Sequence, residues 1–294
     1  MKLIRIFVIS LLMWGLSSSC IREDYSDCFN RYVVELSYVG DGTEEIFNSK
    51  IGSVRMYIFN EAGECLHEDW LTDEQVGNRS LVLPALAAGD YRVVFLGNPS
   101  STSVGVVEVR SVLSSRFFGA DTYWEGKETS GNDSLYWSSI DQIIEPFDPD
   151  KKIVSTTAHF AASHYDISVD VMGVPSAPKI VLTGVSPYTG LEDNVASDEE
   201  TEYVLDVVHD GVSSAKASCN ILRHLDHENV YLKVFSQGGE ELASVNFADF
   251  LQENSQYVDC SKQEVLIPFK IEFKSAKVEV SLPDWYVIHV NPEF

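Results

Sequence analysis

The chain has 294 residues and 45% apolar residues, enough for one large or two medium domains with real cores. Its 45 acids against 21 bases give a formal net charge of −24. That charge repels a phosphate backbone, which argues against nucleic acid as a partner.

The first nineteen residues read as an export signal. Lys2 and Arg5 make a basic start, Ile6 to Leu16 (IFVISLLMWGL) an apolar run, and Ser17, Ser18 and Ser19 a small-residue stretch before Cys20. The apolar run is too short to cross a bilayer, and no later run approaches that length. Cys20 stands where a bacterial lipoprotein is cleaved, and the segment resembles a lipobox, with Leu16 four residues ahead of the cysteine. Ordinary cleavage near Ser19 is the alternative, and would leave Cys20 free or paired. If Cys20 is acylated it cannot cross-link, and IREDYSD becomes a solvated tether from lipid to fold. Acyl chains contribute about 0.8 kcal/mol per buried CH2, so several of them hold a protein firmly. Cys28, Cys65, Cys219 and Cys260 remain. Their even number permits disulfides in an exported protein, but the spacing fixes no pairing, and none has zinc-like spacing.

Strand signals dominate the rest. Tyr32, Val34, Leu36 and Tyr38 alternate on one face. Val54, Met56 and Ile58 share a face, Glu61 to Gly63 supplies a turn, and ECLHEDWL returns as the partner strand. SLVLPALAAGDYRVVFLGN gives two strands about a Pro/Gly corner, and Leu86 to Tyr91 has the spacing of a tyrosine corner. Residues 99 to 150 are loop-rich around a short strand near Leu135 to Trp137. DQIIEPFDPDKK, with two prolines and clustered charge, marks a domain boundary at 150/151. HYDISVDVMG, PKIVLTGV, EYVLDVV, NVYLKVF and EVLIPFKIEF supply further strands. Gly238-Gly239 makes a hairpin, and NFADFLQEN is the one stretch allowed a helical turn. Many short strands and no βαβ rhythm predict an all-β chain of two tandem antiparallel β-sandwiches, residues 31–150 and 151–294.

No catalytic motif is visible: no GxSxG, HExxH or phosphate loop. His159 with His164, and His224 with His227, lack a complete ligand set, so polar strand ends explain them better than a metal. The acidic stretches lack a calcium-loop pattern. Asp121, Trp124, Glu125 and Trp137 could line a sugar platform, with inter-domain packing as the competing reading. The sequence thus predicts no catalytic site, no metal and no cofactor. At the C-terminus Val278, Val280 and Leu282 alternate on one face. Trp285 to Val290 follows, so Val278, Val280, Leu282, Trp285 and Val287 are read as a terminal strand fit for edge pairing. A plain closing strand is the alternative.

The order of these features resembles the fimbrillin-associated anchor proteins, FimB-type lipoproteins of Bacteroides-like bacteria. The carrying segments are the lipobox-like Cys20, SDC at Ser26 to Cys28, IGSVRMYIFNEAGE from Ile51, LPALAAGDYRVVFLGN from Leu83, SLYW, and HYDISVDVMG. The lipobox is looser, and HFAASHYD less apolar, than the pattern has them. The resemblance implies two transthyretin-like β-sandwich domains. It implies an outer-membrane, surface-facing lipoprotein at the base of a fimbria, holding the fibre through its stalk subunit and limiting its length. It also implies that Glu23 and Asp24 act as surface-export tags. A tip or stalk subunit and a surface glycan-binding lipoprotein are the rival expectations.

Overall fold

The computed structural model describes residues 30–107, 112–148, 150, 153–224, 227–275 and 277–290, the last three as backbone only. The signal segment, Cys20 and Cys28 lie outside the described residues.

Among the described residues, ten strands build the first half: β1 (Arg31–Ser37), β2 (Val54–Asn60), β3 (Cys65–Trp70), β4 (Ser80–Val82), β5 (Gly89–Gly97), β6 (Thr102–Val106), β7 (Arg116–Ala120), β8 (Tyr136–Ile144), β9 (Ile153–His159) and β10 (Ala161–Ala162). Sheet β4-β1-β9 packs on sheet β10-β8-β5-β2-β3. The alternation read in the sequence holds: Tyr32, Val34, Leu36 and Tyr38 are buried, as are Val54, Met56 and Ile58. The β2–β3 hairpin forms around the expected turn. The tyrosine corner forms as well, with the Tyr91 hydroxyl donating to Ala87 O at 3.0 Å. Between the strands lie two short helices, α1 (Phe47–Lys50) and α2 (Asp73–Asn78). A capping box opens α2, pairing Thr72 with Gln75.

Ten more strands follow: β11 (His164–Met172), β12 (Lys179–Val185), β13 (Tyr188–Gly190), β14 (Thr201–Leu205), β15 (Val207–His209), β16 (Ser214–Leu222), β17 (Tyr231–Phe235), β18 (Glu241–Asn246), β19 (Leu266–Lys274) and β20 (Lys277–Ser281). Sheet β15-β16-β11-β19-β20 faces sheet β14-β12-β17-β18 across a second core. Helix α3 (Asp121–Trp124) belongs to the first half; α4 (Phe247–Glu253) and α5 (Asp284–Val290) belong to the second. The expected helical turn is α4, capped by the Asn246 side chain on the Asp249 N–H. Its Phe247 and Phe250 pack on Phe269 at 5.0 and 4.3 Å between ring centroids.

The chain is all-β, in two sandwiches, with three differences from the sequence reading. First, each sandwich holds one parallel pair, β1 with β9 and β11 with β19. Long crossovers separate those strands, as parallel pairing requires. Second, the expected junction at 150/151 comes too early. β9 pairs with β1 and β10 pairs with β8, so the first sandwich runs on to Ala162. Of the segment read as a linker, Asp141–Ile144 is the end of strand β8 and residues 145–148 are irregular, all within that sandwich. Third, a small sheet β13-β7-β6 joins the halves, with Tyr188–Gly190 pairing onto Phe117–Gly119. Beneath it lies a third apolar cluster of Tyr57, Phe59, Leu96, Phe118, Leu191 and Leu222, drawn from both halves.

Candidate functional site

The terminal segment departs from the sequence reading. Lys277–Ser281 is a strand, but Trp285 and Val287 lie on helix α5, not on a strand. The hydrogen-bond ladder gives the reason. The Asp166 N–H donates to Val265 O at 2.9 Å, and Leu266 O accepts the Tyr286 hydroxyl at 3.2 Å. Odd-numbered residues of β19 therefore turn their peptide groups toward β11, and even-numbered ones toward β20. Lys270–Ser281, Glu272–Glu279 and Lys274–Lys277 are then the bonded pairs. The next bonded pair in that register would set Pro268 opposite Pro283. Neither has an N–H, so both ladder bonds are lost and the strand stops. The chain leaves as α5, whose Tyr286 and Val287 pack on the core beside the unpaired end of β19. Leu282 is buried between the two elements, while Trp285 is exposed.

This register exposes a pairing edge. Val278 and Val280 turn their N–H and C=O groups away from β19. Their side chains share the inner face with Ile271 and Phe273 opposite, yet they stay 42% and 39% exposed. Neither valine belongs to the second core cluster, so the two line a partly exposed edge. On the outer face Lys274 and Lys277 both pair with Glu279, holding its carboxyl down at about 2. Lys270 reaches Asp284 at 3.7 Å, tying the start of α5 to β19.

Other edges differ: β14 is bridged by Thr129, β6 and β18 are edge strands of five and six residues, and the rest are short or carry a guard. β4, β10, β13 and β15 are two or three residues long. β3 turns His67 and Asp69 toward the sandwich interior, paired at 2.9 Å, and inward charge of that kind discourages strand addition. β9 turns into β10, which docks on β8. β20 presents apolar side chains and free peptide groups together, the combination that strand addition uses.

The remaining sequence candidates are spent on packing. Trp124 stacks on Tyr188 of the second sandwich at 5.3 Å, and the Trp137 indole donates to Leu191 O at 2.9 Å. These two tryptophans therefore follow the packing reading rather than a sugar platform. Glu125 pairs with Lys127 at 2.5 Å. His164 is buried with Nδ1 2.8 Å from Leu135 O, and burial lowers its pKa. No metal-holding group of His, Cys, Asp or Glu occurs among the described residues. Cys65, Cys219 and Cys260 are free thiols, so no disulfide joins these three. Burial pushes the Cys219 thiol up to about 12. Among the described residues no helix is long and apolar enough to cross a membrane.

One cluster escaped the sequence reading. Glu264, in the loop before β19, gathers Tyr38, Tyr136 and Lys50 from the first sandwich. Nothing local in SKQEV marks that glutamate; only the strand partners bring it there.

Comparison with solved structures shows where this architecture recurs. The fimbrial anchor protein Mfa2 from Porphyromonas gingivalis matches with TM-score 0.66 and 14% identity, covering 86% of this chain and 98% of that one. A candidate adhesin from Bacteroides ovatus matches with TM-score 0.66 and 16% identity, covering 90% and 96%. A candidate adhesin from Bacteroides thetaiotaomicron gives 0.65 and 14%, covering 86% and 96%. At these identities the likeness is one of fold. A search of curated proteins returns no match. The profile of the family described as fimbrillin-A associated anchor proteins Mfa1 and Mfa2 matches residues 25–291, and the chain belongs to that family.

Proposed function

We propose that this protein is a non-catalytic outer-membrane lipoprotein that anchors a fimbria. Acyl chains on Cys20 hold one end in the membrane. The terminal stalk subunit adds a strand to the β20 edge, and a fibre that ends on a membrane-held subunit is fixed in length. Family membership supports the fimbrial setting.

The observation that carries the anchor reading is the polarity of the molecule. Strand β1 starts beside the tether, where the Asn30 side chain binds Pro146 O at 3.1 Å. It then runs toward the second sandwich, where Tyr38 meets Glu264. The uncovered edge at Val278 and Val280 belongs to that second sandwich. Tether and pairing edge therefore sit on different bodies, with the first sandwich as a spacer between membrane and fibre. A tip subunit has no use for a lipid at the end away from its pairing edge.

Replacing Cys20 with Ala tests the reading. Fimbriae should be shed into the medium, measured as the cell-bound fraction of the stalk protein. Unchanged retention sinks the anchor. Immunogold labelling should place the protein at the fibre base; label along the shaft would move it to the stalk.

A further inference from the structure

If each end of this protein is held, as the anchor reading has it, the pull must cross the junction between the sandwiches. Across it run the bridging sheet β13-β7-β6, the shared apolar cluster and a polar route through Glu264. Tyr38 directly follows β1, is 1% exposed, and donates its hydroxyl to Glu264 Oε1. Tyr136, 3% exposed, donates to the same oxygen at 3.2 Å, and the two rings meet edge to face at 4.9 Å. Lys50 Nζ binds Glu264 Oε2 at 2.5 Å. The Asp41 carboxylate accepts the Gln263 N–H at 2.9 Å and the Glu264 N–H at 3.4 Å. Gln263 in turn accepts the Ala162 N–H at 2.9 Å through Oε1 and the Arg223 guanidinium at 2.7 Å through its carbonyl. Residues 263 and 264 are therefore gripped by the end of β1, and they lead directly into β19, the strand that carries β20.

The strand directions suit tension. β1 runs from the tether toward the junction, so a pull on the tether lies along its axis. Its bonds to β9 span Arg31–Ser37 against Ile153–His159 and share the load in shear, instead of opening one by one. β19 is bonded to β11 in the same parallel manner over Leu266–Glu272.

The geometry points to Glu264 as the joint of a tension-bearing path that runs from β20 through β19, Glu264, Tyr38 and β1 to the tether. The path makes the two sandwiches one strut under load. The covalent connection near Ser163 is then relieved of the pull, because the grip on residues 263 and 264 takes it first. This inference takes the identity of the two loaded ends from the anchor reading; the path itself does not depend on which partner pulls.

Constant-force spectroscopy tests it on the exported chain from Ile21 onward, with one handle at the N-terminus and one on a clickable residue replacing Ser281. Glu264→Ala strands two buried hydroxyls. The lifetime under load should shorten roughly tenfold or more, and an early low-force extension should mark the sandwiches parting. The double variant Tyr38→Phe with Tyr136→Phe keeps the packed rings and should shorten it in the same sense. A control geometry, with handles at Val208 and Ser281 inside the second sandwich, should show no change. Unchanged lifetimes in the tether-to-β20 geometry overturn the path, and equal shortening in the control geometry reduces Glu264 to a general stabiliser. Purified protein without partner suffices, so loss of the anchor reading in cells would leave this result standing. Conversely, cells that shed fimbriae on Cys20→Ala but hold them under flow with Glu264→Ala would keep the anchor and lose the path.

Discussion

Two adjacent residues of β20 separate the pairing role from the folding role. The Glu279 peptide group faces β19, opposite Glu272, while that of Val280 faces outward. Val280→Pro removes an N–H that bonds nothing within the chain, and edge strands accept proline at such positions. Its cost to stability should stay below about 1 kcal/mol, since side-chain cover lost at a 39% exposed valine is small. Glu279→Pro removes a ladder donor, strands the Glu272 carbonyl, and should cost about 3 kcal/mol. Binding to the stalk subunit should respond in the opposite order. Val280→Pro deprives an added strand of a donor at the centre of a short edge and sets a ring in its way, so affinity should fall at least about tenfold, one lost bond being worth roughly 1 kcal/mol before the clash. Urea unfolding reads the first quantity and surface plasmon resonance the second. Wild-type affinity for Val280→Pro would refute strand addition at β20, and an undisturbed fold in Glu279→Pro would refute the register.

Two further predictions concern the junction. Burial alone would raise the Glu264 carboxyl, but the Lys50 ammonium and Tyr38 hydroxyl hold it below its ordinary value. A depressed carboxylate contributes stability that is present above its unfolded value, near ~4.3, and is lost as pH falls through its folded one. The stability gap between wild type and Glu264→Gln should therefore close as urea titrations move from neutral pH down past that value; a gap independent of pH would contradict the charge-based account. At the small bridging sheet, a Cβ on Gly119 would lie 2.5 Å from Pro187 O. Gly119→Ala should force β7 and β13 apart at a cost of about 2 kcal/mol, seen as a lower Tm, and an unchanged Tm would mean the strands can shift freely.

Local pattern was legible wherever a strand keeps one face dry. The Tyr32–Tyr38 alternation, the β2–β3 hairpin and the Leu86–Tyr91 corner all follow from spacing two and from turn residues. The helix at Phe247–Glu253 falls in NFADFLQEN, the one stretch allowed a helical turn, and the structure adds its Asn246 cap. Pairing between distant segments was not. Nothing in IVSTTAH announces β1 as its partner, so the boundary at 150/151 was set at the most loop-like stretch rather than where pairing changes hands. The short helix opened by the capping box at Thr72 lies in a stretch that carries no strand alternation. At the candidate site, the valines were rightly grouped on one face, and the next six residues misled. WYVIHV is aromatic and β-branched, a strand by propensity. The opposition of Pro268 and Pro283 overrode it, and that opposition exists only once the register is known.

The pairing of β1 with β9 also governs when the fold can form. Asn30 and Pro146, which touch at the tether end, are 116 residues apart in the chain. A strand that waits so long for its partner closes late, because distant contacts repay their loop entropy only at the end. Until β9 forms, β1 has only the three-residue β4 to pair with, so the first sandwich closes last at its own first strand.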